Sequence, residues 1–239
     1  MQKQLDLQHW YSSEEGNAFA QTVYNSLHPH LERSFGYFAV QTGYSPLNLL
    51  TSAAVTRHIV TGNYDGDIQC QSEYLPLESN SIDLLILSHT LELATDPHAA
   101  LREAERVLVP EGKLYIVGLT PFSIAGAYQN IRNENYQRYT SLRIRDWLSV
   151  LGFDHLGTQP MKRVSIHKHY QQPIAKAGLK SANYLLSKCK GGGYIIRAKK
   201  RVTRLTPLRQ HWPTKPAIVR PAAVIKPSAQ VARERWRMK

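Results

Sequence analysis

Cysteine is almost missing from this chain, with Cys70 and Cys189 the only two in 239 residues. They are far apart and lack zinc-ligand spacing, which excludes a disulfide framework and a structural zinc site. Long apolar runs are missing as well. Nothing approaches the roughly 18 consecutive apolar residues of a membrane span, and Gln2-Lys3-Gln4 leads into no apolar core of signal-peptide length. These absences lead to the expectation of a cytoplasmic protein without a membrane span. Acid is missing from one end only. Residues 199–239 hold twelve Lys and Arg against the single acid Glu234, which leaves 18 basic and 17 acidic residues for the first 198. Nearly all of the net charge of +12 is therefore in that tail. Pro207, Pro213, Pro216, Pro221 and Pro227 recur there too closely for a helix or sheet to develop, so residues 201–239 are expected to be disordered. A proline-punctuated chain of cations attracts nucleic acid or another polyanion; a solvated extension that only aids solubility is the alternative.

What is present is concentrated between Tyr74 and Gly118. Leu75-Pro76-Leu77-Glu78-Ser79-Asn80-Ser81 has turn composition. It leads into Ile82-Asp83-Leu84-Leu85-Ile86-Leu87, an apolar run short enough for a strand buried on both faces. Asp96-Pro97 has the pattern of a helix N-cap followed by a first-turn proline. Leu101, Ala104, Val107 and Leu108 then form an apolar stripe, with Arg102, Glu103, Glu105 and Arg106 left for solvent. Pro110 and Gly112 are expected to stop the helix before a strand at Leu114-Tyr115-Ile116-Val117. Strand, helix and strand at this spacing predict a right-handed crossover in a parallel sheet. Phe19, Val23, Leu27 and Leu31 predict amino-terminal lid or flanking helices interrupted at Pro29. Leu142, Ile144, Trp147, Leu148 and Leu151 predict a helix closed by Gly152, with strands to follow at 153–164 and 194–198. Gly191-Gly192-Gly193 is read as a flexible entry to an edge hairpin.

The string from Leu75 through Asp83, then Ser88-His89-Thr90-Leu91-Glu92, Asp96-Pro97 and the stretch from Leu101 to Gly112 resembles class I S-adenosylmethionine-dependent methyltransferases of the small-molecule type. It is most similar to a proteobacterial subgroup of methyltransferase-like proteins. The resemblance implies a Rossmann-like α/β fold: a seven-stranded, mostly parallel sheet flanked by helices, with S-adenosylmethionine as cofactor. It divides the chain into amino-terminal helices at 1–34, a methyltransferase-like domain at 35–200 and the basic tail at 201–239. By position in the pattern, it assigns cofactor binding to Gln41, Thr42, Gly43, Gln71, Ser72, Ser88 and His89.

Several positions depart from the family pattern. A Gly-x-Gly-x-Gly loop is expected after the first strand, where only glycine lets backbone N–H groups approach the methionine end closely. Here the loop is Thr42-Gly43-Tyr44-Ser45-Pro46, with one glycine. The second strand, Thr56 to Gly62, ends without the carboxylate that would take the ribose hydroxyls, and no acid occurs before Asp65. Gln71 replaces the aspartate that reaches adenine, a milder change because an amide still accepts and donates. A lost charge-assisted hydrogen bond is worth about 1.5–3 kcal/mol, so weakened cofactor affinity is expected. Gly43 is otherwise a turn glycine. His89 is otherwise a satisfied structural histidine, and Glu92 is its partner or, by preference, a solvated helix residue. Asp83 is assigned a backbone-bonding role. Thr120-Pro121-Phe122 superficially resembles the loop of nitrogen methyltransferases, but it follows the wrong strand and is left as acceptor-pocket lining.

The function expected is methyl transfer from S-adenosylmethionine to an unidentified acceptor, with no metal and no catalytic residue singled out. The alternative is a catalytically inactive methyltransferase fold kept as a binding module, whose tail recruits nucleic acid. The oligomeric state is left open.

Overall fold

A computed structural model describes residues 2–62, 66–121, 137–162 and 191–202. Seven strands form one sheet: β1 (Gly36–Gly43), β2 (Val55–Gly62), β3 (Ile68–Gln69), β4 (Ile82–Ser88), β5 (Leu108–Leu119), β6 (Phe153–Lys162) and β7 (Gly191–Lys200). Their order is β3-β2-β1-β4-β5-β7-β6. The first five are parallel, with Gln41 beside Ile86 and Leu87 beside Ile116, and β7 runs antiparallel to both β5 and β6. The apolar run from Ile82 to Leu87 is central, as its lack of polar alternation predicts.

Helices α1 (Gln2–Tyr11), α2 (Glu14–Leu31), α3 (Thr90–Leu93), α4 (Pro97–Val107) and α5 (Ser141–Val150) complete the described elements, with a short 3-10 turn at Leu49–Ser52. Because strand side chains alternate, β4 feeds two cores. Leu85 and Leu87 join Val40, Leu114, Ile116 and Ile196 under Leu101, Ala104 and Val107 of α4 and Ile144 and Leu148 of α5. Leu84 and Ile86 join Ala39, Tyr115, Val117 and Ile195 under Phe19, Val23, Leu27 and Leu31 of α2 and Leu7 and Tyr11 of α1. Asp96 caps α4, its carboxylate accepting from His98 N–H at 2.8 Å, with Pro97 in the first turn.

Three expectations need correction in detail. Helix α2 runs through Pro29 to Leu31, since a proline in the last turn forfeits little. The break lies earlier, at Ser12-Ser13, where Ser13 caps α2. Pro110 to Gly112 do not separate helix from strand. Strand β5 begins at Leu108 and takes these residues up as an irregularity, with register passing from Ile82–Leu108 to Leu84–Lys113 and Glu111 at φ 69°. The triple glycine opens β7, which pairs antiparallel with the edge strand β6, as expected of an edge hairpin. Finally, Glu103 and Arg106 are not idle solvent residues. Glu103 accepts from Leu75 N–H, and Arg106 donates to the carbonyls of Leu75 and Leu77 and to Glu103. The turn that enters β4 is thereby tied to the helix that leaves it. The tail from 203 onwards and the loop at 122–136 lie outside the described residues.

Candidate functional site at the carboxyl edge of the sheet

In an open parallel sheet, strand ends expose unpaired backbone groups where the chain reverses, and ligands bind along that carboxyl edge. Burial of polar groups marks the edge here. Among the described residues eight polar or charged side chains are buried, and all but Ser34 lie at it: Gln41 and Thr42 of β1, Thr61 of β2, and Ser88, His89, Thr90 and Glu92 at β4 and α3. Desolvating polar groups costs free energy unless they are satisfied, so seven gathered in one place call for a chemical reason.

Most of them are satisfied by nearby backbone groups. Ser88 exchanges two hydrogen bonds with Tyr44: Tyr44 N–H donates to Ser88 O at 2.9 Å, and Ser88 Oγ donates to Tyr44 O at 2.8 Å. Thr90 Oγ1 donates to Thr42 O at 3.0 Å, and Gln41 Oε1 accepts from Leu49 N–H at 2.8 Å. Gly43 has φ +90°, and a Cβ there would run into Ser88 O and Thr90 Oγ1. The glycine is thus required by the close stitching of β1 to β4. The space its side chain would take is already filled by protein.

His89 has a left-handed backbone, φ 52° and ψ 16°, and its N–H donates to Val117 O at 3.0 Å. This turns the imidazole inward, where Nε2 is 2.7 Å from Tyr11 Oη. Nδ1 has no hydrogen-bond partner and is 4.0 Å from Glu92 Oε1. Glu92 Oε1 in turn accepts from Leu119 N–H at 2.8 Å. Burial, and secondarily the Arg138 charge, lowers the His89 pKa to about 3, so the ring is neutral. Burial raises Glu92 to about 7, against the opposing pull of the Leu119 N–H. Above His89, the rings of Trp10, Tyr11, Phe19 and Tyr44 pack together, with Tyr11 5.7 Å from both Tyr44 and His89.

Gln41, Thr42, Gly43, Ser88 and His89 are therefore brought together. Gln71 and Ser72 lie after β3, farther along the same edge, with Gln71 exposed and Ser72 half-buried. Next to them Glu73 accepts from the N–H groups of Thr95 and Asp96 and holds this turn to the start of α4. Asp83 bonds backbone, though on β1, accepting from the N–H groups of Tyr37 and Phe38. Glu92 is buried and adjoins His89, against the preference for a solvated residue. Tyr11 escaped sequence reasoning altogether: a tyrosine ending an unremarkable helix carries no local signal. Asp65, the acid nearest β2, falls outside the described residues. Asp67 is spent on Val60 N–H.

Two of the buried polar atoms at this edge are poorly satisfied by the protein and are of the polarity a ligand there would meet. At the end of β2 the buried Thr61 Oγ1 meets the Cys70 thiol, a weak partner, and His89 Nδ1 is a buried ring nitrogen without a hydrogen bond. Among the described residues no cluster of His, Cys, Asp and Glu is arranged to hold a metal, and no helix is long and apolar enough to cross a membrane.

Comparison with known proteins gives the same picture. Residues 31–116 match a family described as a methyltransferase domain. The Escherichia coli protein YafS is 29% identical over 169 residues, which are 67% of this chain and 70% of the relative. The ubiquinone/menaquinone biosynthesis C-methyltransferase UbiE of Cellvibrio japonicus is 26% identical over 117 residues, 49% of this chain and 45% of that protein. The demethylmenaquinone methyltransferase of Chlamydia pneumoniae is 51% identical over only 47 residues, 20% of each. The chain thus spans less than half of either quinone enzyme. Among solved structures, the putative methyltransferase bound to the Haloferax volcanii Trm112 activator superimposes with TM-score 0.56 at 15% identity, over 82% of this chain and 98% of that one. A methyltransferase of Archaeoglobus fulgidus gives 0.54 at 16% identity, over 76% and 94%.

Proposed function

We propose that the chain is a class I S-adenosylmethionine-dependent methyltransferase, as its match to a methyltransferase domain over residues 31–116 supports, that it binds S-adenosylmethionine along the carboxyl edge of β1, β2 and β4, and that it methylates a small organic acceptor. The observation that carries this reading is the gathering of seven buried polar side chains at that one edge. When bound, the cofactor supplies an electrophilic methyl group on a sulfonium. Thr42 and Gly43 are assigned to its methionine end, Gln71 and Ser72 to adenine, and Ser88 and His89 to the ground between cofactor and acceptor. The aromatic rings over His89 exclude water, and removing water strengthens every electrostatic interaction left inside. The neutral imidazole presents no positive charge to repel a sulfonium.

Two relatives named as quinone methyltransferases support a ring-bearing acceptor. Thr61 in place of a ribose-binding carboxylate supports weak cofactor affinity. Thermal unfolding with and without S-adenosylhomocysteine tests the reading. A ligand at about 100 times its dissociation constant adds about 2.7 kcal/mol, and no shift at millimolar ligand overturns it. The strongly basic 199–239 segment favours a second role, salt-sensitive attraction to a polyanion. If about five phosphates are neutralised, affinity for double-stranded nucleic acid falls with a log–log salt slope near −4.5, at roughly −0.9 per contact. Equal binding by the full chain and one cut before Val202 dismisses it.

A further inference from the structure

The residues assigned to ligand are almost wholly covered. Gln41, Thr42, Ser88 and His89 are each at most 3% exposed. A side chain so enclosed cannot meet a ligand until something above it moves, and the structure limits what that can be. His89 is fixed, its backbone bonded to Val117 and its ring enclosed. Tyr44 is stitched to Ser88. Helix α2 is anchored by Phe19, Ala20, Val23, Leu27 and Leu31, all buried. Helix α1 is the thin element. Of its residues from Leu7 to Tyr11, only Leu7 and Tyr11 are buried, Gln8 and His9 being exposed, and two residues, Ser12 and Ser13, join it to α2. It is tied to the site by a hydrogen bond between positions 78 apart in sequence, Tyr11 Oη and His89 Nε2.

We infer that Tyr11 is a clasp, its hydroxyl bond to His89 holding α1 closed over the carboxyl edge, so that entry of a ligand to that edge follows release of the bond. The inference rests on the reading of this edge as the ligand site and adds how access to it is controlled. With Tyr11 donating to Nε2, the ring proton is on Nδ1, aimed toward Glu92 4.0 Å away. Opening the clasp frees Nε2 to meet what enters.

Tyr11→Phe in the full chain keeps the ring and its packing and removes only the hydroxyl. Amide hydrogen exchange is read over α1 and over β4, and association of S-adenosylhomocysteine is followed by stopped flow. Exchange in α1 is expected to quicken roughly three- to tenfold, the equivalent of one net hydrogen bond, with β4 unchanged. Association is expected to quicken by a similar factor. Unchanged exchange in α1 overturns the clasp, and so does unchanged association in a variant that binds the ligand. If the ligand binds neither protein, the cofactor reading fails, while α1 exchange still decides whether Tyr11 holds the helix.

Discussion

Strands β2 and β4, eight and seven residues long, stand in the two halves of the parallel sheet and differ sharply in what covers them. Strand β4 is buried at every position but Asp83, while β2 is exposed from Thr56 to His58 and half-buried at Ile59 and Val60. The difference lies in the connections. Between β4 and β5 stands α4, whose apolar stripe seals one face of the sheet; between β1 and β2 there is only the four-residue turn Leu49–Ser52, and β3 adds two residues. Without a covering helix, strand side chains gain little from burial, at about 25 cal/mol per Å² of apolar surface removed from water. The fold is therefore held by the β4–β5–β7 half, while the β1–β2 half carries much of the proposed cofactor ground on a thinner support.

The sharpest way to break this comparison is to truncate both halves. Leu85→Ala, at a fully buried position, is expected to cost about 2–5 kcal/mol. Ile59→Ala, only half-buried on β2, should cost about 1 kcal/mol. Urea unfolding of both variants gives the ratio, and equal losses would show that the halves are equally supported.

Two glycines sharpen it next. Gly43→Ala faces both a positive φ and a collision with Ser88 and Thr90, worth roughly 1–3 kcal/mol. Gly152→Ala has φ +80° but open space for its Cβ, leaving only the left-handed penalty of about 1 kcal/mol. Thermal unfolding in the absence of ligand is the measurement. A larger loss at Gly152 would refute the stitching of β1 to β4.

Glu92 and His89 give a smaller, pH-dependent effect with opposite signs. Raised from 4.5 to about 7, Glu92 keeps its proton in the fold where the unfolded chain has lost it, so its contribution falls as pH rises through that window. Lowered from 6.5 to about 3, His89 stays neutral in the fold where the unfolded chain is protonated, so stability falls as pH drops through its own window. Between about 4.5 and 6.5 the two slopes oppose one another. Glu92→Gln removes the first, so its stability relative to the native chain should rise steadily from pH 4.5 to 7. Melting curves across that range decide it, and a constant difference would mean that Glu92 is ionised throughout. The smallest effects belong to the caps. Asp96→Ala at α4 should cost about 1 kcal/mol, and Asn48→Ala, capping a single 3-10 turn, less than about 0.5 kcal/mol. A reversal in denaturant midpoints would contradict the ranking of the two connections.

Legibility follows the same division. The run from Ile82 to Leu87, the Asp96-Pro97 start and the apolar stripe of α4 are local patterns whose meaning needs no distant partner, and the structure holds them where the spacing puts them. Gly43 was legible as a special position, but for a different reason: what crowds it is the backbone of Ser88, 45 residues away. Glu103 and Arg106 follow the polar periodicity of a solvent face and yet grip the turn at Leu75 to Leu77, because the crossover returns that turn to the helix.

The β4–α4–β5 unit, the class of sheet it implies, the helix at Ser141–Val150 and the charge asymmetry of the tail all follow from periodicity, capping chemistry and composition within short windows. Only the folded chain shows that Glu92 is enclosed beside His89 and that Tyr11 reaches across 78 residues to the same imidazole. Local propensity fixes how a segment folds, but a buried hydrogen bond between distant residues exists only once both cores have closed around it, and its stability derives from the water they exclude.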